Sequence, residues 1–125
     1  MATYYRIQWA GDPLSRSWLS QDVNSLDYEA GTSCCETLDE LLAWIEGGTA
    51  CPVGDVEIVE FAGEWLGTGD DGEAVVRPVA ELSRWRHRDF RGAAKRATCR
   101  EMRGGDLDDL ADCGWERVDT LAVAD

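Results

Sequence analysis

Val56-Glu57-Ile58-Val59-Glu60-Phe61-Ala62, a glycine-bearing stretch from Gly63 to Gly72, and then Glu73-Ala74-Val75-Val76-Arg77-Pro78-Val79 form the segment that decides the fold. Both flanking runs are rich in β-branched and aromatic residues, which suit a pleated, half-buried surface. The glycines between them supply the backbone freedom that a chain reversal needs. The segment predicts a hairpin with strands over 56–62 and 73–79 and a long loop between them.

Upstream, Thr37-Leu38-Asp39-Glu40 is a capping box, because Thr37 and Glu40 can each bond an amide left open at a helix start. Leu38, Leu41, Leu42 and Ile45 then recur at helical spacing, and Gly47-Gly48 ends the run. Thr3 to Trp9 predicts a first strand, with Thr3, Tyr5, Ile7 and Trp9 on one face and Tyr4, Arg6 and Gln8 on the other. Gly11-Asp12-Pro13 closes it as a turn. Residues 14–31 are polar and read as an irregular excursion anchored by Trp18, Leu19, Leu26 and Tyr28. Downstream, Asp89 is placed to cap a helix over 90–103, and Asp106 a second short one through Cys113 that Gly114 ends.

These elements predict an α+β protein. Residues 1–82 form a compact domain with a small, mostly antiparallel sheet and one clear helix. Residues 83–125 form a helical extension, packed on that domain or partly disordered. With 125 residues the chain suits one domain better than two. Its six tryptophans argue for a real core, and Trp9, Trp44 and Trp65 are read as part of it. No apolar run is long enough to span a bilayer. The first residues lack the basic and apolar pattern of a secretory signal, so a cytoplasmic location is expected.

Five cysteines, with Cys34 and Cys35 adjacent, suit neither a disulfide framework nor a redox pair. Cys51, His87, Cys99 and Cys113 could be gathered around zinc, but no C-x-x-C spacing supports it, and no metal is expected. The net charge of −13 is segregated. Residues 1–81 carry 3 basic and 16 acidic side chains, residues 82–104 carry 8 and 2, and residues 105–125 carry 1 and 7. Such a field repels a nucleic-acid backbone and favours basic partners.

Three short pieces carry candidate chemistry. Arg6 lies mid-strand, where a guanidinium either pairs with one of many local carboxylates or is kept for an anion such as phosphate. Ser33 comes shortly before the capped helix and can serve that helix's amides or a ligand. Glu73 opens a hairpin strand beside Asp70 and Asp71, either as a solvated acidic turn or as a carboxylate with a raised pKa.

In order, Tyr5-Arg6, Gly31-Thr32-Ser33 and Asp71-Gly72-Glu73-Ala74-Val75-Val76-Arg77-Pro78 resemble the motifs of the Arg-Ser-Glu branch of the ADP-ribosyltransferase fold. Gly31 stands in the first place of that family's Ser-Thr-Ser strand. The resemblance covers roughly the first 80 residues and implies NAD as substrate, bound on the side of Arg6, Thr32 and Ser33. It implies that Arg6 holds the pyrophosphate or a ribose. Ser33 would keep the ribose and Glu73 in register. Glu73 would stabilise the oxocarbenium-like ribose left when nicotinamide departs. Asp71 would orient or deprotonate an unspecified acceptor, and water in that place gives NAD hydrolysis.

Two rivals need no such site. The acidic body alone suits a non-catalytic interaction protein, such as an inhibitor, antitoxin or phage-type decoy, that covers a basic partner surface. Residues 84–103 interleave arginines with Trp85, His87 and Phe90, the one stretch suited to nucleic acid. The nearest anion for those arginines is nonetheless the chain's own acidic body, so an intramolecular clasp is the preferred reading of that stretch.

Overall fold

The computed structural model describes residues 1–15, 32–46, 54–69, 72–90 and 107–124. They form strand β1 (Ala2–Trp9), strand β2 (Thr32–Cys34), helix α1 (Leu38–Glu46), strands β3 (Gly54–Thr68) and β4 (Ala74–Phe90), a 3-10 helix (Leu107–Cys113) and strand β5 (Glu116–Val118). This is a small antiparallel sheet with one α-helix, an α+β arrangement. Among the described residues no helix is long and apolar enough to cross a membrane.

The strands lie in the order β1-β3-β4-β2, and β5 adds to β4 beyond β2. Just past β2, Cys35 and Tyr5 exchange backbone hydrogen bonds of 2.9 Å in each direction. That bridge joins the last strand of the order back to the first, so the sheet curls round and encloses one of its faces.

Enclosure gives the molecule two cores. Inside, Tyr4, Leu14, Cys34, Val59, Phe61, Ala74 and Val76 meet, drawn from all four main strands and the turn after β1. Outside, α1 lays Leu38, Leu41, Leu42 and Ile45 against Ile7, Val56, Ile58 and Trp85, and Leu110 and Trp115 complete the layer. The helix starts as its sequence predicts. The Thr37 hydroxyl accepts the Glu40 amide at 3.1 Å, while the Glu40 carboxylate reaches back to the amide of Glu36 at 3.0 Å.

The hairpin is longer than its sequence suggests. Strand pairing runs from Gly54↔Phe90 to Thr68↔Ala74, and the connection shrinks to residues 69–73. Gly72, with φ of 81°, makes the actual turn. Gly63 instead lies inside β3, where a Cβ would come within 2.3 Å of Val76 Cγ1. The pairing absorbs these glycines by register shifts between Ala62 and Gly63 and between Trp65 and Gly67.

Downstream the expectations change. β4 continues to Phe90, so the boundary expected after residue 82 falls within a strand. Asp89 and Phe90 are strand residues rather than a helix start, and the rest of the expected helix, 91–103, lies outside the described residues. The second expected helix is a 3-10 helix ended by Gly114 at φ of 93°. Two tryptophans assigned to the core are at the surface, Trp9 and Trp65 each being 51% exposed. Trp44 packs at the margin of the helix-covered core, and among the described residues Trp85 and Trp115 are the buried tryptophans.

Candidate functional site

Arg6 and Ser33, 27 positions apart, meet. β1 carries Arg6 on the enclosed face, and closure through Cys35 lays β2 beside it. One Arg6 Nη donates to the Ser33 carbonyl and to Ser33 Oγ at 3.3 Å, and Nε donates to Gln8 Oε1 at 2.7 Å. Burial pulls the Arg6 guanidinium down to about 10, with the neighbouring thiols Cys34 and Cys35 acting the other way. Glu73 immediately precedes β4, whose first residue, Ala74, pairs with Cys34 of β2. Arg6 and Glu73 both act electrostatically on Cys34 and Cys35, so the candidate site residues Arg6, Ser33 and Glu73 occupy one neighbourhood.

The remaining candidates are Thr32 and Asp71. Thr32 is 1% exposed and pairs with Val76. Asp71 lies outside the described residues. The paired thiols are suited to packing rather than reactivity. Burial raises Cys34, with Cys35 adding to it, and burial together with Glu40 and Glu73 pushes Cys35 up to about 12. Among the described residues no group of three or more His, Cys, Asp or Glu side chains is placed to hold a metal ion.

A second constellation, not foreseen as a site, lies on the same enclosed face. The sheet registers place Tyr4, Phe61 and Glu81 in one row, Arg6, Val59 and Arg84 in the next, and Gln8, Glu57 and Arg86 in the third. Leu82 is an extra residue in β4, between Glu81↔Phe61 and Ser83↔Glu60. In a regular strand Glu81 and Arg84 would face opposite sides; the bulge at Leu82 turns both inward and leaves Leu82 exposed. Arg84, with its side chain 1% exposed, then donates to Glu57 Oε1 at 2.6 Å and to both oxygens of Glu81. Arg86 holds the other Glu57 oxygen through Nε at 2.9 Å and Nη2 at 2.8 Å.

Burial alone would raise Glu57, but the Gly11 amide, Arg84 and Arg86 overcome it and hold the carboxyl below its ordinary range. Burial would likewise lower Arg84, and Glu81 and Glu57 reverse that. The intramolecular clasp expected for the 84–103 stretch is therefore present at Arg84 and Arg86. Its signal in the sequence was a glutamate at 57 alternating with apolar residues of a buried strand. On the outer face a smaller polar group links Trp85 Nε1 to Ser83 Oγ at 3.2 Å and Ser83 to Glu60 at 3.1 Å.

Known protein families, curated proteins and solved structures provide no match to this chain.

Proposed function

We propose that this chain is a non-catalytic acidic interaction protein whose carboxylate surface docks a basic patch on a partner protein. The division of charge carries the reading. Arg6, Arg77, Arg84, Arg86 and Arg117 each engage a group of the chain itself: Ser33, Glu64, Glu57 with Glu81, Glu57 again, and the ring of Trp85. Asp12, Asp39, Asp55, Asp112, Glu116 and Asp119 stay at the surface. These five arginines are engaged within the chain, and a net charge of −13 presents a field that steers and selects cationic surfaces.

The test compares capture by the immobilised protein from the soluble proteins of its own cells at about 0.05 M and about 0.5 M salt. A discrete basic protein held at low salt, released at high salt and lost by a D12N/D112N/E116Q variant supports the reading. Capture that ignores both salt and the variant, or no capture, overturns it.

One observation favours a second reading, NAD-dependent ADP-ribosyl transfer or NAD hydrolysis: the meeting of Arg6 with Ser33 beside Glu73. In that reading Arg6 fixes the donor and Glu73 stabilises the positive charge that develops on the ribose. It ranks second because the Arg6 donors already face Ser33 and Gln8, and Thr32 is buried. NAD consumption by the wild type, lost in Glu73→Gln and Arg6→Ala with circular dichroism unchanged, would promote it. Absence of turnover and of calorimetric NAD binding would remove it.

A further inference from the structure

The buried charges close a ring of hydrogen bonds that joins the two ends of the described chain. Glu57 Oε1 accepts the Gly11 amide at 2.8 Å and Arg84 Nη1 at 2.6 Å. Arg84 turns its remaining donors to Glu81, and Glu81 Oε2 accepts the Leu121 amide at 2.8 Å. The chain then returns to its start, because the Ala124 amide donates to the Leu14 carbonyl at 2.8 Å, just beyond Gly11. Ser15 and Ala124 form an isolated parallel bridge at the same place.

Residues 119–124 leave β5 on the edge of β4 that β5 pairs, and they add no further rung to the ladder. Val123 packs on the enclosed core, while Asp119, Thr120 and Ala122 are exposed. A segment with so few buried contacts belongs to the low-stability end of a fold. Its Leu121 amide is held by a carboxylate that also serves a buried arginine.

We infer that the Glu57–Arg84–Glu81 cluster is a latch coupling the C-terminal strap, residues 119–124, to the turn at residues 10–15, so that the two open as one unit while the sheet stays folded. Lifting the strap takes a donor from Glu81, and a Glu81 that follows it strips Arg84 of a partner in a buried setting. Arg84 transmits that change to Glu57, and Glu57 to the Gly11 amide.

Native-state hydrogen exchange on the whole chain tests the latch. The amides of Gly11, Leu121 and Ala124 are expected to share one opening free energy and one denaturant dependence, both smaller than those of Tyr5 and Cys35. Divergence of Gly11 from the other two, or coincidence of all five, overturns the inference. In Glu57→Gln, Leu121 should exchange about tenfold faster although it does not touch residue 57, the size of effect seen in coupled networks. An unchanged Leu121 in a folded variant also overturns it. Should that variant fail to fold, the wild-type comparison decides alone.

Discussion

The two faces of the sheet are built on different principles. Under α1 the packing is predominantly apolar, with Leu42, Ile45, Val56 and Ile58 fully buried. Across the same strands, the enclosed face places Glu57 and Arg84 beside Val59 and Phe61. The helix-covered face is held by close packing, which degrades gradually as atoms are removed. The enclosed face is held by a charge balance, which fails abruptly when one member is lost. An apolar layer makes the fold stable, and a buried ion cluster on its other side fixes which segments meet.

The sharpest way to break the comparison is Arg84→Met. It leaves Glu81 without its buried guanidinium and Glu57 with Arg86 as its one cation among the described residues, and removal of one partner from such a cluster costs about 3–5 kcal/mol. Urea unfolding of the variant should show a midpoint shift of that size with little change in slope. A loss under about 1 kcal/mol would mean that the cluster is solvated or relaxes freely, and the contrast between the faces would fall.

On the helix side, Ile45→Ala removes a fully buried side chain and leaves a cavity, with an expected loss of about 3 kcal/mol. The two variants sharpen the contrast through their double mutant. The sites lie on opposite faces and share no partner, so their losses should add to within about 0.5 kcal/mol. Strong non-additivity would show that the faces are one cooperative layer rather than two.

Acid offers a smaller perturbation of the enclosed face through Glu57, whose carboxyl the Gly11 amide, Arg84 and Arg86 hold below its ordinary range. The folded pKa of Glu57 lies below its unfolded value, about 4.3 for a free glutamate. Its contribution is therefore complete above that range and is lost as pH falls through the depressed folded value. Thermal melts taken stepwise into acid should show a limb that flattens in Glu57→Gln. An identical limb in wild type and variant would assign acid sensitivity to other carboxylates.

The unequal legibility of the faces has a physical basis. Helix α1 was readable because its cap and its apolar spacing are both local signals, and Leu38, Leu41, Leu42 and Ile45 all pack as that spacing demands. The hairpin was readable in kind but not in extent. Gly63 and Gly67 signal a turn by composition, yet they serve bulges and a close approach to β4 within a long strand. Arg84 and Trp85 carried a cationic, surface-like pattern, and only the register with β3 and the bulge at Leu82 bury them, Arg84 on the enclosed face and Trp85 under α1. Trp9 and Trp65 misled in the opposite direction, since residue type alone does not say which face a strand end leaves open. Of the candidate site, the sequence offered Arg6, Ser33 and Glu73 as an ordered set of motifs, without the contact between Arg6 and Ser33. The Arg6 contact with the Ser33 carbonyl depends on closure of the sheet through Cys35, which no local pattern announces.

The smallest effect belongs to the most local element and sets the floor of the comparison. Thr37→Ala removes the hydroxyl that accepts the Glu40 amide at 3.1 Å, on an exposed helix end. Caps of this kind are worth about 1 kcal/mol. Here the Glu40 carboxylate bonds the Glu36 amide rather than that of Thr37, so its half of the box survives the substitution. The loss in a urea titration should therefore stay near about 0.5–1 kcal/mol and should vanish in Thr37→Ser, which keeps the acceptor. If Thr37→Ala instead costs as much as Ile45→Ala, the helix is positioned by its start rather than by its apolar face. The helix-covered side would then share with the enclosed side a dependence on single polar contacts.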